Sequence, residues 1–126
     1  MKNYILNKNF TIQRAIKILN IQETKCLVIT DKNKKLIGTI MDGDLRRAIV
    51  KNKNVLDKNI EKVFNKKPFT LKKKNIHNLK NFIKNKKIDK TIKLIPVVDN
   101  NLKLIKIINL DEFIKKKQNI NYPKKL

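Results

Sequence analysis

The sequence repeats itself at a spacing of 68 residues, and this internal duplication limits the available folds more than any other feature does. A duplicated sequence predicts two copies of one supersecondary unit that bury a shared core. One unit of roughly sixty residues buries too little apolar surface to be comfortably stable alone. The matched positions include Leu27 on Ile95, Ile29 on Val97, Asp31 on Asp99, Leu36 on Leu104, Ile40 on Ile108 and Leu45 on Phe113.

The first half shows a clear order of elements. Apolar residues at helical spacing predict an amphipathic helix over 12–20, with Thr11 as its N-cap. Two runs of β-branched and aliphatic residues, 26–30 and 36–40, are typical of the strands of a hairpin. A second helix is predicted from Leu45 onward.

The second half repeats this order. Its pattern predicts a helix around 76–83, strands over 94–98 and 102–108, and a final helix that opens at Leu110. The first helices of the two halves match at a spacing of 64 instead of 68, which places about four extra residues near 88–91.

These elements predict an α/β (α+β) fold made of two helix-strand-strand-helix repeats that pack as a pseudo-two-fold pair. We expect the first repeat to span residues 1–60, the second to span 61–117, and 118–126 to form a frayed tail. The connector, 52–71, contains lysine runs and a proline, so we expect it to cross the surface without a long helix.

The composition is strongly biased, and its exceptions are therefore informative. The chain has 29 Lys, 18 Asn and 20 Ile, or 67 of 126 residues, a bias that resembles the output of an AT-rich genome. Both glycines, Gly38 and Gly43, and two of the three arginines, Arg46 and Arg47, lie between positions 38 and 47. We therefore expect the functional site in this stretch.

The charge raises two classes of partner. With 32 basic against 10 acidic side chains, the net charge of +22 would attract nucleic acid or an anionic membrane. The lysine clusters lack the interleaved aromatic residues that stack on bases, so we expect a solvated basic surface. The single cysteine cannot form an internal disulfide, and the sequence shows neither an apolar run of membrane-spanning length nor a signal-peptide pattern over residues 1–10. We expect a cytoplasmic location and no membrane partner.

Asp42 and Asp44 lie between a predicted strand and a predicted helix, where the first backbone N–H groups of the helix lack partners. Helix capping accounts for one carboxylate but not for both, nor for Arg46 and Arg47 one turn later. An acid-x-acid site for a divalent ion is a weak alternative, because no third carboxylate or histidine lies nearby. We therefore expect no metal site.

The stretch 38–44 resembles the closing motif of a CBS domain, the module named after cystathionine β-synthase. The segment 94–99, Leu-Ile-Pro-Val-Val-Asp, and the duplication also resemble a tandem CBS pair, and the resemblance runs from about Tyr4 to Ile114. The string Gly-Thr-Ile-Met-Asp-Gly-Asp-Leu-Arg-Arg is most similar to CBS pairs that precede some bacterial sugar-phosphate nucleotidyltransferase domains. No such domain follows Leu126, so we expect a stand-alone or truncated version.

This resemblance implies an adenosine-containing ligand, such as AMP, ATP or another adenosyl compound, in a cleft between the repeats. The aspartate that matches Asp44 accepts hydrogen bonds from both ribose hydroxyls in that pattern. Met41 stands where the family has Ser or Thr, and its thioether cannot donate a hydrogen bond to the ligand. Arg46 and Arg47 could hold phosphate instead. The candidate ligand-binding residues are Thr39, Met41, Asp42, Asp44, Arg46 and Arg47.

The second repeat departs further from the family motif. Glu112 falls opposite Asp44, Lys106 falls opposite Gly38, and Asp111 is the expected helix cap. We therefore expect this half to keep only a packing role. His77 and Cys26 carry no chemistry in this interpretation, since His77 has no ligand partner and Cys26 has no neighbouring base.

We therefore expect a non-catalytic regulatory or sensor module that binds a small-molecule nucleotide, without catalytic residues. The resemblance implies a homodimer and a partner enzyme, a nucleotidyltransferase. One alternative is an accessory part of a sugar-phosphate nucleotidyltransferase, and another is a basic nucleic-acid-associated protein.

Overall fold

The computed structural model of the chain describes residues 5–85, 88 and 91–121. In the first unit, β1 (Ile5–Asn7) precedes α1 (Ile12–Asn20), and β2 (Cys26–Thr30) and β3 (Leu36–Met41) form a hairpin that leads into α2 (Asp42–Lys51). The second unit contains β4 (Leu71–Lys72), α3 (Leu79–Lys84), β5 (Leu94–Val98), β6 (Leu104–Asn109) and α4 (Leu110–Asn121). The predicted α+β architecture is confirmed.

Local sequence explains several of these bounds. Helix α1 begins as predicted, because the Thr11 hydroxyl oxygen accepts a hydrogen bond from the Arg14 N–H at 3.2 Å. Strand β2 is buried along its whole length, which matches its uninterrupted apolar run. Helix α2 begins three residues earlier than predicted, at Asp42. In the second unit, the predicted first helix is split into a 3-10 segment, Lys73–Asn78, and the short α3.

Each unit has a three-stranded sheet and not the two strands that the sequence predicted. The strand orders are β1-β2-β3 and β4-β5-β6, with the outer strand β1 or β4 parallel to the central strand. Strand β4 pairs only with Val97 and Val98. Pro96, the preceding residue, has no backbone N–H to give, which accounts for the short pairing.

The two hairpin turns meet across the pseudo-two-fold axis. The Leu36 N–H donates to the Leu102 carbonyl at 2.9 Å, and the Leu104 N–H donates to the Lys34 carbonyl at 2.9 Å. A shift of 68 residues exchanges these two bonds, because it moves Lys34 onto Leu102 and Leu36 onto Leu104. Lys34 and Leu102 also share a φ of 66°, so the turns have the same backbone conformation.

Three apolar clusters hold the described part of the chain together. Each unit has its own core between its sheet and its helices. The third cluster lies between the units, where residues of the two hairpins pack face to face. It consists of Cys26, Val28 and Leu94, with Leu36, Met41, Leu104 and Ile107 packed against them.

The connector between the units does not simply cross the surface, and this part of the prediction was wrong. Ile60 is fully buried and Phe64 is 8% exposed, and both belong to the core of the first unit. Asn65 then pairs with Thr39 on the edge of β3 through two backbone hydrogen bonds of 3.0 and 2.8 Å. The connector therefore covers the edge strand of the first unit.

The end of the chain also differs from the expectation. Helix α4 continues to Asn121, beyond residue 117, where we predicted the second repeat to end. Residues 122–126 of the predicted tail lie outside the described residues.

Candidate functional site

The site is built around the start of α2. Met41 is the N-cap residue, and its backbone is extended, with φ −119° and ψ 163°. The Met41 N–H donates to Oδ2 of Asp44 at 2.8 Å, so the carboxylate of the third helical residue satisfies the N-cap amide. This contact is one half of a capping box, and it fixes the orientation of a carboxylate that is only 17% exposed.

The other Asp44 oxygen is also engaged. Nη2 of Arg47 donates to Oδ1 of Asp44 at 2.7 Å. The Arg47 side chain is 71% exposed, so it lies at the surface while its partner is held by the helix start. A second ion pair lies on the same helix: Arg46 pairs with Asp42 at 2.5 Å, and both of these side chains are exposed.

A cleft of about 320 Å³ opens beside this carboxylate. One wall is a single face of α2, because its residues are spaced three, four and seven positions apart. The other wall is the first part of the connector. The lining residues are Asp44, Arg47, Ala48, Lys51, Asn52, Val55, Lys62 and Val63.

The electrostatics of this cleft favour an anion. Arg47, Lys51 and Lys62 contribute three positive charges against the one negative charge of Asp44. The volume lies at the lower end of the range of about 300–1,000 Å³ that is usual for small-molecule sites. Val55, Val63 and Ala48 are the apolar residues of the lining.

The structure brings two of the six predicted site residues, Asp44 and Arg47, into this cleft. Asp42 and Arg46 pair with each other outside its lining. Thr39 is buried in β3, where its backbone bonds to Asn65, and Met41 packs against the apolar cluster between the units. Whether any of these residues binds a ligand stays a prediction.

The cleft beside Asp44 is lined by α2 and by the connector of the first unit. The ligand cleft expected between the two repeats stays a prediction. Lys51 and Lys62 were missed. Lys51 follows Asp44 by seven residues, so helical spacing could have found it, whereas nothing distinguishes Lys62 from the other lysines of a Lys-rich chain.

Gly38 has a packing role that the sequence did not reveal. A Cβ atom at this position would collide with the Asn65 carbonyl oxygen and would lie 2.7 Å from Cε2 of Phe64. Gly38 is therefore required by the connector that lies over β3. At Gly43, a Cβ would meet only the flexible end of Arg47, at 3.3 Å from Nη1.

The corresponding helix start in the second unit is capped differently. The Glu112 N–H donates to Oδ1 of Asn109 at 3.2 Å, so Asn109 caps α4. The expectation that Asp111 is the cap was wrong, because Asp111 already lies within the helix. Glu112, opposite Asp44 in the duplication, is exposed.

The remaining candidates carry no site. Burial, and secondarily the negative charge of Asp44, raises the pKa of the Cys26 thiol to about 12, against a weaker opposing hydrogen bond with the Leu94 backbone. That thiol is therefore protonated and unreactive at neutral pH. His77 is exposed, as predicted. Within residues 5–85, 88 and 91–121, no group of three metal-ligating side chains is found, and no helix is long and apolar enough to cross a membrane.

Comparison with known sequences agrees with this architecture. Residues 1–51 match the family model of the CBS domain. The uncharacterized protein RP505 of Rickettsia prowazekii (strain Madrid E) is 30% identical over 111 residues, which are 87% of this chain and 33% of that protein. The chain thus spans about a third of the length of this curated relative.

Solved structures share the fold at low sequence identity. A CBS domain protein of Streptococcus pneumoniae TIGR4 has a TM-score of 0.75 and 15% identity, covering 96% of this chain and 80% of that chain. MJ1225 of Methanocaldococcus jannaschii, proposed as an archaeal homologue of g-AMPK, has a TM-score of 0.74 and 17% identity, covering 92% and 46%. Residues 1–51 therefore match a CBS domain in sequence, and the two units together have the fold of CBS-domain proteins.

Proposed function

We propose that this chain is a non-catalytic regulatory module that binds an adenosine-containing nucleotide in the cleft beside Asp44. The observation that carries the proposal is the position of Asp44. The carboxylate that matches the ribose-binding aspartate of the CBS motif lines a cleft that also holds Arg47, Lys51 and Lys62. An ionised carboxylate is an acceptor for ribose hydroxyls, and the three cations complement phosphate. The fold shared with a proposed homologue of g-AMPK supports the adenine-nucleotide class.

The same geometry suggests how binding could be signalled. One wall of the cleft is the connector, which runs from α2 to the second unit and is anchored on β3 by Asn65. A ligand that fills the cleft stabilises one position of the connector, and with it one arrangement of the two units. A partner protein would respond to that arrangement. The nucleotidyltransferase partner, the homodimer and the cytoplasmic location stay predictions.

Thermal unfolding with matched nucleotides tests this function. AMP and ATP should raise the melting temperature more than guanine or cytosine nucleotides at equal concentration, because a ligand that binds only the folded state stabilises it. Calorimetric titration should give one site per chain. Equal shifts with every nucleotide and with sulfate or heparin would show simple charge attraction and would refute the proposal.

A further inference from the structure

We propose that Arg47 makes this cleft selective for phosphorylated ligands, because it holds the Asp44 carboxylate until a ligand phosphate draws it away. Arg47 is then a specificity-determining residue, beyond being one more cation in the cleft. The inference rests on the proposed function, since it concerns the same cleft and the same carboxylate.

Both oxygens of Asp44 already accept a hydrogen bond in this structure. Oδ2 accepts from the Met41 N–H at 2.8 Å, and Oδ1 accepts from Arg47 at 2.7 Å. The Met41 contact belongs to the helix start and cannot be given up without loosening it. Each carboxylate oxygen can accept two hydrogen bonds, so a ligand hydroxyl can share Oδ1 with Arg47, but Oδ1 is a weaker acceptor while the guanidinium group neutralises its charge.

The two partners differ in their freedom to move. Asp44 is mostly buried and fixed at the helix start, whereas the Arg47 side chain is 71% exposed, and its ion pair among the described residues is the one with Asp44. Because the guanidinium group of this pair is exposed to water, it loses little solvation when it leaves the carboxylate, and it can change partner at modest cost. Arg47 also lines the cleft, so a phosphate bound there is within its reach.

This arrangement sets ligands with and without phosphate apart. A neutral nucleoside must either share the paired carboxylate with Arg47 or leave Arg47 without its charged partner. A nucleotide replaces that partner with a phosphate, so one charge-assisted interaction is exchanged for another. Lys51 and Lys62 add further positive charge to the same cleft and favour the ligand with more phosphate groups.

Calorimetric titration of adenosine, AMP and ATP into the wild type and Arg47→Ala tests the inference. The substitution should tighten adenosine binding by about two- to fivefold, because Asp44 is released. It should weaken AMP and ATP binding by about tenfold, because a charge-assisted hydrogen bond is lost. Affinity would then rise for adenosine and fall for AMP and ATP. A general loss of charge or of folding cannot produce these opposite changes.

Arg14→Ala is the matched control. Arg14 is also an exposed arginine, but it lies over the Phe10 ring at 4.3 Å and does not line the cleft. The Arg14→Ala substitution removes the same charge and should leave the affinities for adenosine, AMP and ATP within about twofold of the wild-type values. Arg47→Gln, which keeps a polar side chain, serves as a second variant if the alanine variant is poorly folded.

The outcomes separate this inference from the proposed function. If the wild type binds AMP, but Arg47→Ala and Arg47→Gln weaken adenosine and AMP alike or change neither, the role of Arg47 is refuted and the nucleotide site stands. If the wild type binds none of the three ligands, the proposed function is refuted and the inference falls with it.

Discussion

The starts of α2 and α4 occupy equivalent positions in the two units, and different side chains accept a backbone hydrogen bond there. In the first unit, the side chain of the third helical residue, Asp44, accepts from the N-cap amide of Met41. In the second, the N-cap side chain of Asn109 accepts from the amide of the third residue, Glu112. Either contact can begin the helix. The second unit therefore begins its helix without an aspartate–arginine pair, so the pair in the first unit is the feature that a variant can test for a role in binding.

A second difference concerns the edge strands. In the first unit, the connector lies over β3 and packs against Gly38. In the second unit, the equivalent residue is Lys106, which is exposed. One glycine of the motif is thus explained by packing, so only part of the rare-residue cluster is left for ligand binding.

The largest expected effect of substitutions at the two helix starts is on ligand binding. Asp44→Ala should weaken AMP binding by tenfold to a hundredfold, since each charge-assisted hydrogen bond contributes about 1.5–3 kcal/mol. Glu112→Ala should change affinity less than twofold, because its carboxylate is exposed and does not line the cleft. Calorimetric titration of both variants, with circular dichroism to confirm folding, gives the result. Equal losses in the two variants would mean that the pocket lies elsewhere.

The second prediction concerns stability. Gly38→Ala should lower the free energy of unfolding by about 1–3 kcal/mol, because the added Cβ collides with Asn65 and Phe64. Lys106→Ala, at the equivalent exposed position, should change it by less than about 0.5 kcal/mol. Urea unfolding measures both values. A Gly38→Ala protein as stable as the wild type would show that the connector can move off β3.

The third prediction separates capping from binding. Asn109→Ala removes the cap of α4 and should cost about 1 kcal/mol of stability, with AMP affinity unchanged. Asn109→Asp keeps an acceptor oxygen at the helix N-terminus and should retain most of that stability. Urea unfolding and calorimetric titration of the two variants provide the test. If AMP affinity falls in Asn109→Ala and is retained in Asn109→Asp, the second unit takes part in binding, and the prediction of one site per chain is wrong.

The smallest effect is expected where the two units are alike. The pKa of Asp31 and the pKa of Asp99 both lie below the usual 3.8. The largest cause is a backbone hydrogen bond, from the Lys35 amide to Asp31 and from the Lys103 amide to Asp99. A lowered pKa in the folded state means that each carboxylate stabilises the fold above pH 3.8 and that this contribution is lost as the pH falls further.

Asp31→Asn and Asp99→Asn keep an acceptor oxygen but cannot ionise. Each variant should therefore flatten the acid side of the stability curve slightly and to the same extent. Urea unfolding between pH 2 and pH 6 would show this. Unequal slopes would mean that the two turns, despite their shared geometry, differ in electrostatic environment.

The sequence alone was sufficient for the hairpins and for the approximate symmetry. The bounds of α1, β2 and β5 agree with the predictions, because continuous apolar runs and a Thr cap are local signals. Strands β1 and β4 were missed, since two or three residues cannot show an alternating pattern. Asp44 and Arg47 were predicted as site residues from the cluster of rare residues, from a family motif and from their place at the start of a predicted helix, and this role stays a prediction.

The positions of the connector and of the cleft depend on tertiary contacts that the sequence did not reveal. The burial of Ile60 and Phe64 depends on contacts with a core formed by residues far away in the chain. The cleft depends on the same folding back, because Lys62 and Val63 reach Asp44 only through it. Local sequence encodes which residues are apolar and which turn can begin a helix. Which surfaces meet depends on packing between distant segments, and in a chain with 29 lysines no single lysine marks the one that lines a site.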